Sequence, residues 1–145
     1  MKKKKWDVIS IVLVVLSLVA TICAFALGGC STCVETAAGG CVPMKCHWTF
    51  IAVGLIQIMA IAAAGMGFTT PGVHGRRVCT AMVVLVNVIG LFAFYGPLMG
   101  LCTNADMPCH MHALVVSVLQ IISLVVAIYA FFACSPSQKK PKKEM

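Results

Sequence analysis

The chain has 145 residues, of which 61% are hydrophobic and 10% are charged, and its mean hydropathy is +1.01. About a quarter of the residues in an ordinary soluble domain are charged, so this composition excludes a soluble globular protein. The formal net charge is +7, but the basic residues are grouped between apolar blocks, which argues against nucleic acid as a partner.

Four apolar blocks occupy most of the chain, at residues 8–27, 49–68, 78–96 and 113–132. Each is long enough to cross a lipid bilayer, which takes about 20 residues in a helix. Backbone polar groups find no water inside lipid, so the spans are predicted to be helical. We therefore expect an all-α polytopic membrane protein with four transmembrane helices. It is predicted to be one domain over 1–145, with halves of approximately 1–70 and 71–135 and a basic cytoplasmic tail at 136–145.

The basic residues predict the orientation of the spans. Ten of the eleven lie in the N-terminus, the loop 69–77 or the C-terminal tail, and Lys45 is the exception. Loops rich in lysine and arginine stay on the cytoplasmic side of a membrane. Both termini and the 69–77 loop are therefore predicted to be cytoplasmic, and the loops 28–48 and 97–112 to face outward. The predicted location is the plasma membrane of a bacterium.

The first apolar block ends in Leu27-Gly28-Gly29-Cys30, which resembles the cleavage site of a lipoprotein signal. Cleaved signals have an apolar core of about 7–15 residues, and this block is longer. Cleavage would also leave the two halves of the chain differently built. We expect the block to be retained as a helix, and the lipoprotein interpretation stays open.

Nine cysteines are distributed unevenly along the chain. Cys23, Cys79 and Cys134 lie within or at the ends of the spans and are interpreted as small apolar residues. The other six lie in the predicted outward loops, where an even number of cysteines favours disulfide bonds. The sequence does not fix their pairing. The disulfide candidates are Cys30, Cys33, Cys41 and Cys102.

A short motif occurs twice, as Met44-Lys45-Cys46-His47 and as Met107-Pro108-Cys109-His110. Met, Cys and His recur at an offset of 63 residues, and so do Gln57 and Gln120. Both halves begin on the predicted inner side, so the two helix-loop-helix units form a parallel repeat about an axis along the membrane normal. The repeat is expected to place His47 and His110 at equal depth.

Met, Cys and His are soft or borderline ligands that suit copper, zinc or haem iron. His47 and His110 are also candidates to hold a haem between the two halves. In the alternative interpretation, the cysteines are locked in disulfides and the histidines are polar residues at the membrane interface. The candidate metal ligands are Met44, Cys46, His47, Met107, Cys109 and His110.

A redox function is the main alternative. Cys30 and Cys33 have the spacing of an exchangeable disulfide, and Cys102 with Cys109 would form a second pair. This layout resembles the bacterial quinone-linked disulfide oxidases. The outward loops contain no arginine, however, and the M-x-C-H repeat is foreign to that family.

Asn87, Gln57 and Gln120 are the conspicuous polar residues inside the spans. Buried amides in membranes usually bond to another helix. No Asp, Glu, Lys or Arg lies in a span, which argues against an ion-driven transporter. The small residues of 60–67 predict close packing of the second helix inside the bundle.

The stretch from Cys41 to Thr49, C-V-P-M-K-C-H-W-T, resembles a bacterial family of small four-helix membrane proteins of unknown function. Its hallmarks are M-K-C-H-W at the start of the second helix and P-C-H before the fourth. The likeness covers nearly the whole chain. It implies an accessory role beside an ABC-type permease of the export class.

These observations together favour a non-enzymatic accessory or sensing component of the membrane. Its outward Cys/His/Met cluster is predicted to bind a soft metal ion, copper or zinc, or haem. The alternative function is that of a membrane thiol-disulfide oxidoreductase. The sequence does not indicate an oligomeric state.

Overall fold

The computed structural model describes residues 3–27, 33–35, 37, 39, 41–43, 45–70, 72–97, 101 and 108–133. Within these ranges the chain forms four α-helices, namely α1 (Lys3–Leu27), α2 (Lys45–Thr69), α3 (Val73–Tyr95) and α4 (Pro108–Ala133). All four of these described helices are long and apolar enough to cross a membrane. The predicted all-α, multi-pass membrane fold is therefore confirmed.

A short hairpin between α1 and α2 is the addition that the sequence did not predict. Strands β1 (Cys33–Glu35) and β2 (Cys41–Pro43) pair in antiparallel fashion. In this register Cys33 lies opposite Pro43, and Cys41 lies opposite Glu35. The two cysteines are therefore not directly opposed across the hairpin.

The helices pack as a ring in chain order. Helix α1 contacts α2 and α4, and α3 contacts the same two neighbours. Helices α1 and α3 are thus diagonal to each other, as are α2 and α4. We call the end that holds the starts of α2 and α4 the cysteine end, and the end that holds the start of α3 the arginine end.

The helices begin earlier than the apolar blocks, which corrects the predicted loop boundaries. The apolar lengths predict an outward loop for Cys46 and His47, but both residues lie in the first turn of α2. Cys109 and His110 likewise lie in the first turn of α4. Helices continue beyond the hydrocarbon core into the interfacial region, where polar side chains are tolerated, so an apolar run marks a minimum helix length.

Burial follows the predicted repeat along α2 and α4. Cys46, Gln57 and Gly67 are buried, and so are Cys109, Gln120 and Ala130, each 63 residues later. All eight buried residues of α4 have a buried counterpart on α2 at this offset. These counterparts are Cys46, Phe50, Val53, Gly54, Gln57, Ala60, Ala64 and Gly67.

Helices α1 and α3 repeat at a different offset. Ser10 and Thr80 are both buried and are 70 residues apart. The same offset relates Ser17 to Asn87. Between equivalent helix positions the chain of the first half is therefore seven residues longer than that of the second, and its connection contains the hairpin. Further buried pairs at this offset are Leu13 with Val83, Ala20 with Gly90 and Ala24 with Phe94.

The described interior of the bundle combines many small and polar side chains with a few large apolar ones, such as Phe50 and Phe94, whereas most large apolar side chains face outward. Ala60, Ala63, Ala64 and Gly67 of α2 are buried, which confirms the predicted close-packed face. Large apolar side chains such as those of Met59 and Phe92 are exposed. This distribution fits helices surrounded by lipid, because lipid tails solvate apolar side chains as well as a protein core does.

Candidate functional site

The two M-x-C-H motifs place their cysteines inside the bundle. Cys46 is 0% exposed and Cys109 is 1% exposed. Each cysteine begins a buried stripe at helical spacing, which continues through Phe50 and Val53 on α2 and through Ala113 and Val116 on α4. Because residues at i, i+4 and i+7 share one helix face, the fold turns both thiols toward the core.

Both thiols belong to a single apolar cluster at the cysteine end. The ring of Phe50 lies edge-on to the ring of Phe94, with centroids 5.1 Å apart. Cys46 and Cys109 are both present as thiols. We call this group the thiol cluster, and its buried members are Ala24, Cys46, Phe50, Val53, Phe94, Cys109, Ala113 and Val116.

The histidines lie beside the thiols but do not point into the same core. His47 and His110 are half-buried, whereas the preceding cysteines are fully buried. Successive residues of a helix project about 100° apart, which turns each histidine toward the flank of its helix. The ring of His47 lies edge-on to that of Trp48, with centroids 5.7 Å apart.

Cys23 is a member of this site that the sequence analysis missed. Cys23 lies on α1, is half-buried and packs against the thiol cluster. Ala93 of α3 and Leu101 pack against the same cluster. The place of Cys23 in the sequence predicts only a small apolar residue. The sequence signal was its position near the end of the first span, at the same predicted depth as the M-x-C-H motifs.

The structure describes only part of the predicted donor set. Met44, Met107, Cys30 and Cys102 lie outside the described residues. Among the side chains that are described, no group of three or more His, Cys, Asp or Glu residues is arranged to hold a metal ion. The predicted metal and haem ligands and the disulfide candidates therefore stay predictions.

A group of three amide side chains lies deep in the bundle, about midway along the helices. Gln57, Asn87 and Gln120 are each 0% exposed. Gln57 Nε2 donates a hydrogen bond to Asn87 Oδ1 at 3.4 Å, and Asn87 Nδ2 donates to the carbonyl oxygen of Val83 at 2.8 Å. The predicted bond between helices is confirmed for α2 and α3.

Gln120 differs from its counterpart Gln57. Neither its Nε2 nor its Oε1 has a hydrogen-bond partner among the described residues. Its amide nitrogen lies against Gly90 of α3, where an added Cβ would collide with it. Ser17, which occupies the position equivalent to Asn87, has a buried Oγ that also finds no partner in the described part of the chain.

Comparison with known protein families identifies a match over most of the chain. The sequence profile described as "Domain of unknown function (DUF4418)" matches residues 8–133. No curated protein and no solved structure matches the chain significantly. The match spans all the membrane helices that the structure describes, apart from the first five residues of α1.

Proposed function

The chain belongs to the DUF4418 family, whose function is unknown, and we propose that it is a non-enzymatic accessory or sensing protein that binds a soft metal ion at its cysteine end. One observation carries this proposal. Each half of the repeat contributes a buried thiol to the same apolar cluster. A purely structural role would require only a small apolar side chain at these positions.

The chemistry of the thiols favours Cu(I) as the ion. Thiolates are soft ligands that select Cu(I), zinc or iron–sulfur clusters. Zinc is bound by cysteine, histidine and carboxylate ligands, whereas the predicted donor set also includes the thioether sulfurs of two methionines, which suit Cu(I). Two thiolates from diagonal helices match a soft ion of low coordination number, with Met44 and Met107 as predicted additional ligands.

The half-buried histidines fit a supporting role in this proposal. His47 and His110 immediately follow the two thiols in sequence and are half-buried. At these positions they can shield a bound ion from water or take part in its transfer. The haem alternative uses these same histidines as axial ligands, and its absorption spectrum distinguishes it from copper binding.

The orientation and the partner are also part of the proposal. Arg76 and Arg77 lie in the first turns of α3, at the end of the bundle where α1 begins. This supports a cytoplasmic arginine end and an outward cysteine end in a bacterial plasma membrane. We propose an ABC-type permease as the partner on the basis of the family resemblance. Reporter fusions test the orientation, and co-purification of the permease tests the partner.

The redox alternative gains no support from the geometry at Cys109. Thiol-disulfide exchange requires the attacking or attacked sulfur to be accessible, and Cys109 is fully buried. Cys30 and Cys102 lie outside the described residues. A disulfide oxidoreductase therefore stays the second prediction, with Cys30 and Cys33 as its essential residues.

A metal-binding titration tests the proposed function. The full chain is purified under reducing, anaerobic conditions, and Cu(I) is supplied from a chelator of known affinity. We expect the wild-type chain to retain copper and a variant with both Cys46→Ser and Cys109→Ser to lose it. Cys79→Ser is the matched control, because Cys79 is a thiol on α3 near the arginine end.

The same titration contains the result that would overturn the proposal. Equal copper retention by the double variant and the wild type would remove Cys46 and Cys109 from the site. Haem binding is measured separately, by adding haem to the purified chain and recording its absorption spectrum. A Soret absorption band that is lost on combining His47→Ala with His110→Ala would favour haem instead. His74→Ala, at an exposed position on α3, controls for the general effect of removing histidine.

A further inference from the structure

A groove opens between α3 and α4 near the arginine end, on the outer surface of the bundle. Its volume is about 190 Å³. All of its lining side chains are apolar, and several of them are exposed to the surroundings. The lining residues are Ala81, Val84, Ile128, Phe131 and Phe132.

Arg77 lies at the mouth of this groove. Arg77, Ala81 and Val84 are spaced at i, i+4 and i+7 on α3, so they form one stripe along the helix. The guanidinium carbon of Arg77 is 5.9 Å from the centroid of the Phe131 ring. This cation–π contact holds the charge over the apolar wall at the end of the groove.

The charge of Arg77 is not neutralised by the part of the chain that the structure describes. Asp7 is the acidic residue whose side chain the structure describes, and it forms no ion pair with Arg77. Its buried Nε also lacks a hydrogen-bond acceptor among the described residues. A cation near a membrane surface attracts an anionic group by about 1 kcal/mol per Lys or Arg.

The repeat supplies a comparison within the same molecule. The position equivalent to Arg77 in the first half, 70 residues earlier, is Asp7. Phe131 corresponds to Phe68, 63 residues earlier, and Ala81 corresponds to Ile11. The face between α1 and α2 therefore has an aromatic wall of the same kind but a negative charge at its mouth.

We propose that the groove between α3 and α4 binds an anionic phospholipid. An acyl chain lies between Val84 and Phe132, and the headgroup phosphate pairs with Arg77. An apolar groove that ends at a cation matches the two parts of such a lipid, a hydrocarbon chain and a phosphate. The corresponding face between α1 and α2 disfavours the same lipid because Asp7 repels its phosphate.

Native mass spectrometry of the full chain in detergent tests this site. Phosphatidylglycerol and phosphatidylcholine of equal chain length are offered in competition. We expect the wild type to bind phosphatidylglycerol about fivefold more tightly, the ratio that corresponds to one favourable charge at the membrane surface. Arg77→Gln is expected to abolish this preference.

Arg76→Gln is the charge-matched control. Arg76 lies over the ring of Trp6, at 5.6 Å from its centroid, and not beside the groove. The Arg76→Gln substitution removes the same charge from the neighbouring position, and the preference for phosphatidylglycerol is expected to persist. Equal losses in Arg76→Gln and Arg77→Gln would show diffuse attraction and would overturn the proposal, as would a wild type without preference.

A second pair of variants tests the apolar part of the site. Ala81→Phe fills the groove while Arg77 stays in place, and it is expected to reduce the number of bound phosphatidylglycerol molecules. Ile11→Phe makes the equivalent change on the other face and is expected to leave binding unchanged. Undiminished binding in Ala81→Phe would contradict an acyl chain in the groove.

Discussion

The hydroxyl groups of Tyr95 and Ser117 lie 3.1 Å apart and link α3 to α4. The equivalent positions in the other half hold Phe25, 70 residues earlier, and Gly54, 63 residues earlier. There the phenylalanine ring packs directly over the glycine, since an added Cβ would lie 2.7 Å from Phe25 Cζ. The same ring-over-helix contact is thus made once with a hydrogen bond and once by close packing.

Removal of the hydroxyl of Tyr95 should weaken the contact between α3 and α4. A hydrogen bond between helices in a membrane contributes about 0.6 kcal/mol on average. We expect Tyr95→Phe and Ser117→Ala to lower the free energy of unfolding by about this amount, and the double variant to lose no more than either single one. Unfolding by SDS in mixed micelles measures these differences.

Tyr129→Phe is the control for this prediction. Tyr129 lies on α4 and is as exposed as Tyr95, at 65% each. The structure describes no hydrogen bond of its hydroxyl, so its removal should have no measurable effect. Fully additive losses in Tyr95→Phe and Ser117→Ala would show that the two hydroxyl groups do not interact.

Gly54→Ala should destabilise the contact between α1 and α2. Overpacking a well-packed site costs about 1–3 kcal/mol. The colliding atoms belong to the outer end of a half-exposed phenylalanine ring that can move toward lipid, so we expect the lower end, about 1 kcal/mol. Unfolding in SDS again gives the free energy.

Gly65→Ala is the matched glycine variant on the same helix. An added Cβ at Gly65 meets no atom within 4 Å. Alanine lowers the conformational entropy of the unfolded chain, so this change should stabilise α2 by about 0.5–1 kcal/mol. If Gly54→Ala stabilised the protein to the same degree, the close contact with Phe25 would not exist.

The two deep glutamines should respond differently to substitution. Gln57→Met removes the donor to Asn87 Oδ1 and is expected to cost about 1 kcal/mol or less. Gln120→Met should be neutral or stabilising, because both polar atoms of Gln120 lack partners among the described residues and an unsatisfied buried amide is costly. Methionine keeps the unbranched shape in both variants.

The comparison of these two variants also tests the asymmetry of the repeat. The asymmetry follows from Ser17, whose side chain is too short to replace the amide of Asn87 at the equivalent position. Equal losses in Gln57→Met and Gln120→Met would indicate that Gln120 has a partner after all. A bound water molecule would be such a partner.

Composition and block length were sufficient to predict the membrane fold. The helix ends were not predictable from apolar length, because Lys45, His47 and His110 are polar residues that continue the helices at the interface. The M-x-C-H repeat correctly indicated equivalent positions in α2 and α4. It did not indicate that the cysteines are buried and the histidines only half-buried.

The relationship between α1 and α3 was hidden from the sequence for a physical reason. The first half has seven additional residues between equivalent helix positions, which changes the offset, and the paired residues differ in type, as do Phe25 and Tyr95. In a membrane helix both the buried and the lipid-facing sides are apolar. The sequence therefore gives little indication of which face is buried, and the packing became visible only in three dimensions.

Burial of the two motif cysteines predicts their reactivity. A small maleimide applied to the folded protein in detergent should leave Cys46 and Cys109 unmodified, because both are at most 1% exposed. After SDS unfolding without reductant, both should react, since both are thiols in the structure. Peptide mass spectrometry with two isotopic forms of the maleimide distinguishes the two stages.

Cys79 provides the internal control for this labelling. It is a half-buried thiol, so it should react faster than the motif cysteines in the folded protein and equally well after unfolding. Failure of Cys46 and Cys109 to react after SDS, with reaction restored by a reductant, would show that they form disulfide bonds. That result would also remove the thiolates on which the proposed copper site depends, because only a deprotonated thiol serves as a metal ligand.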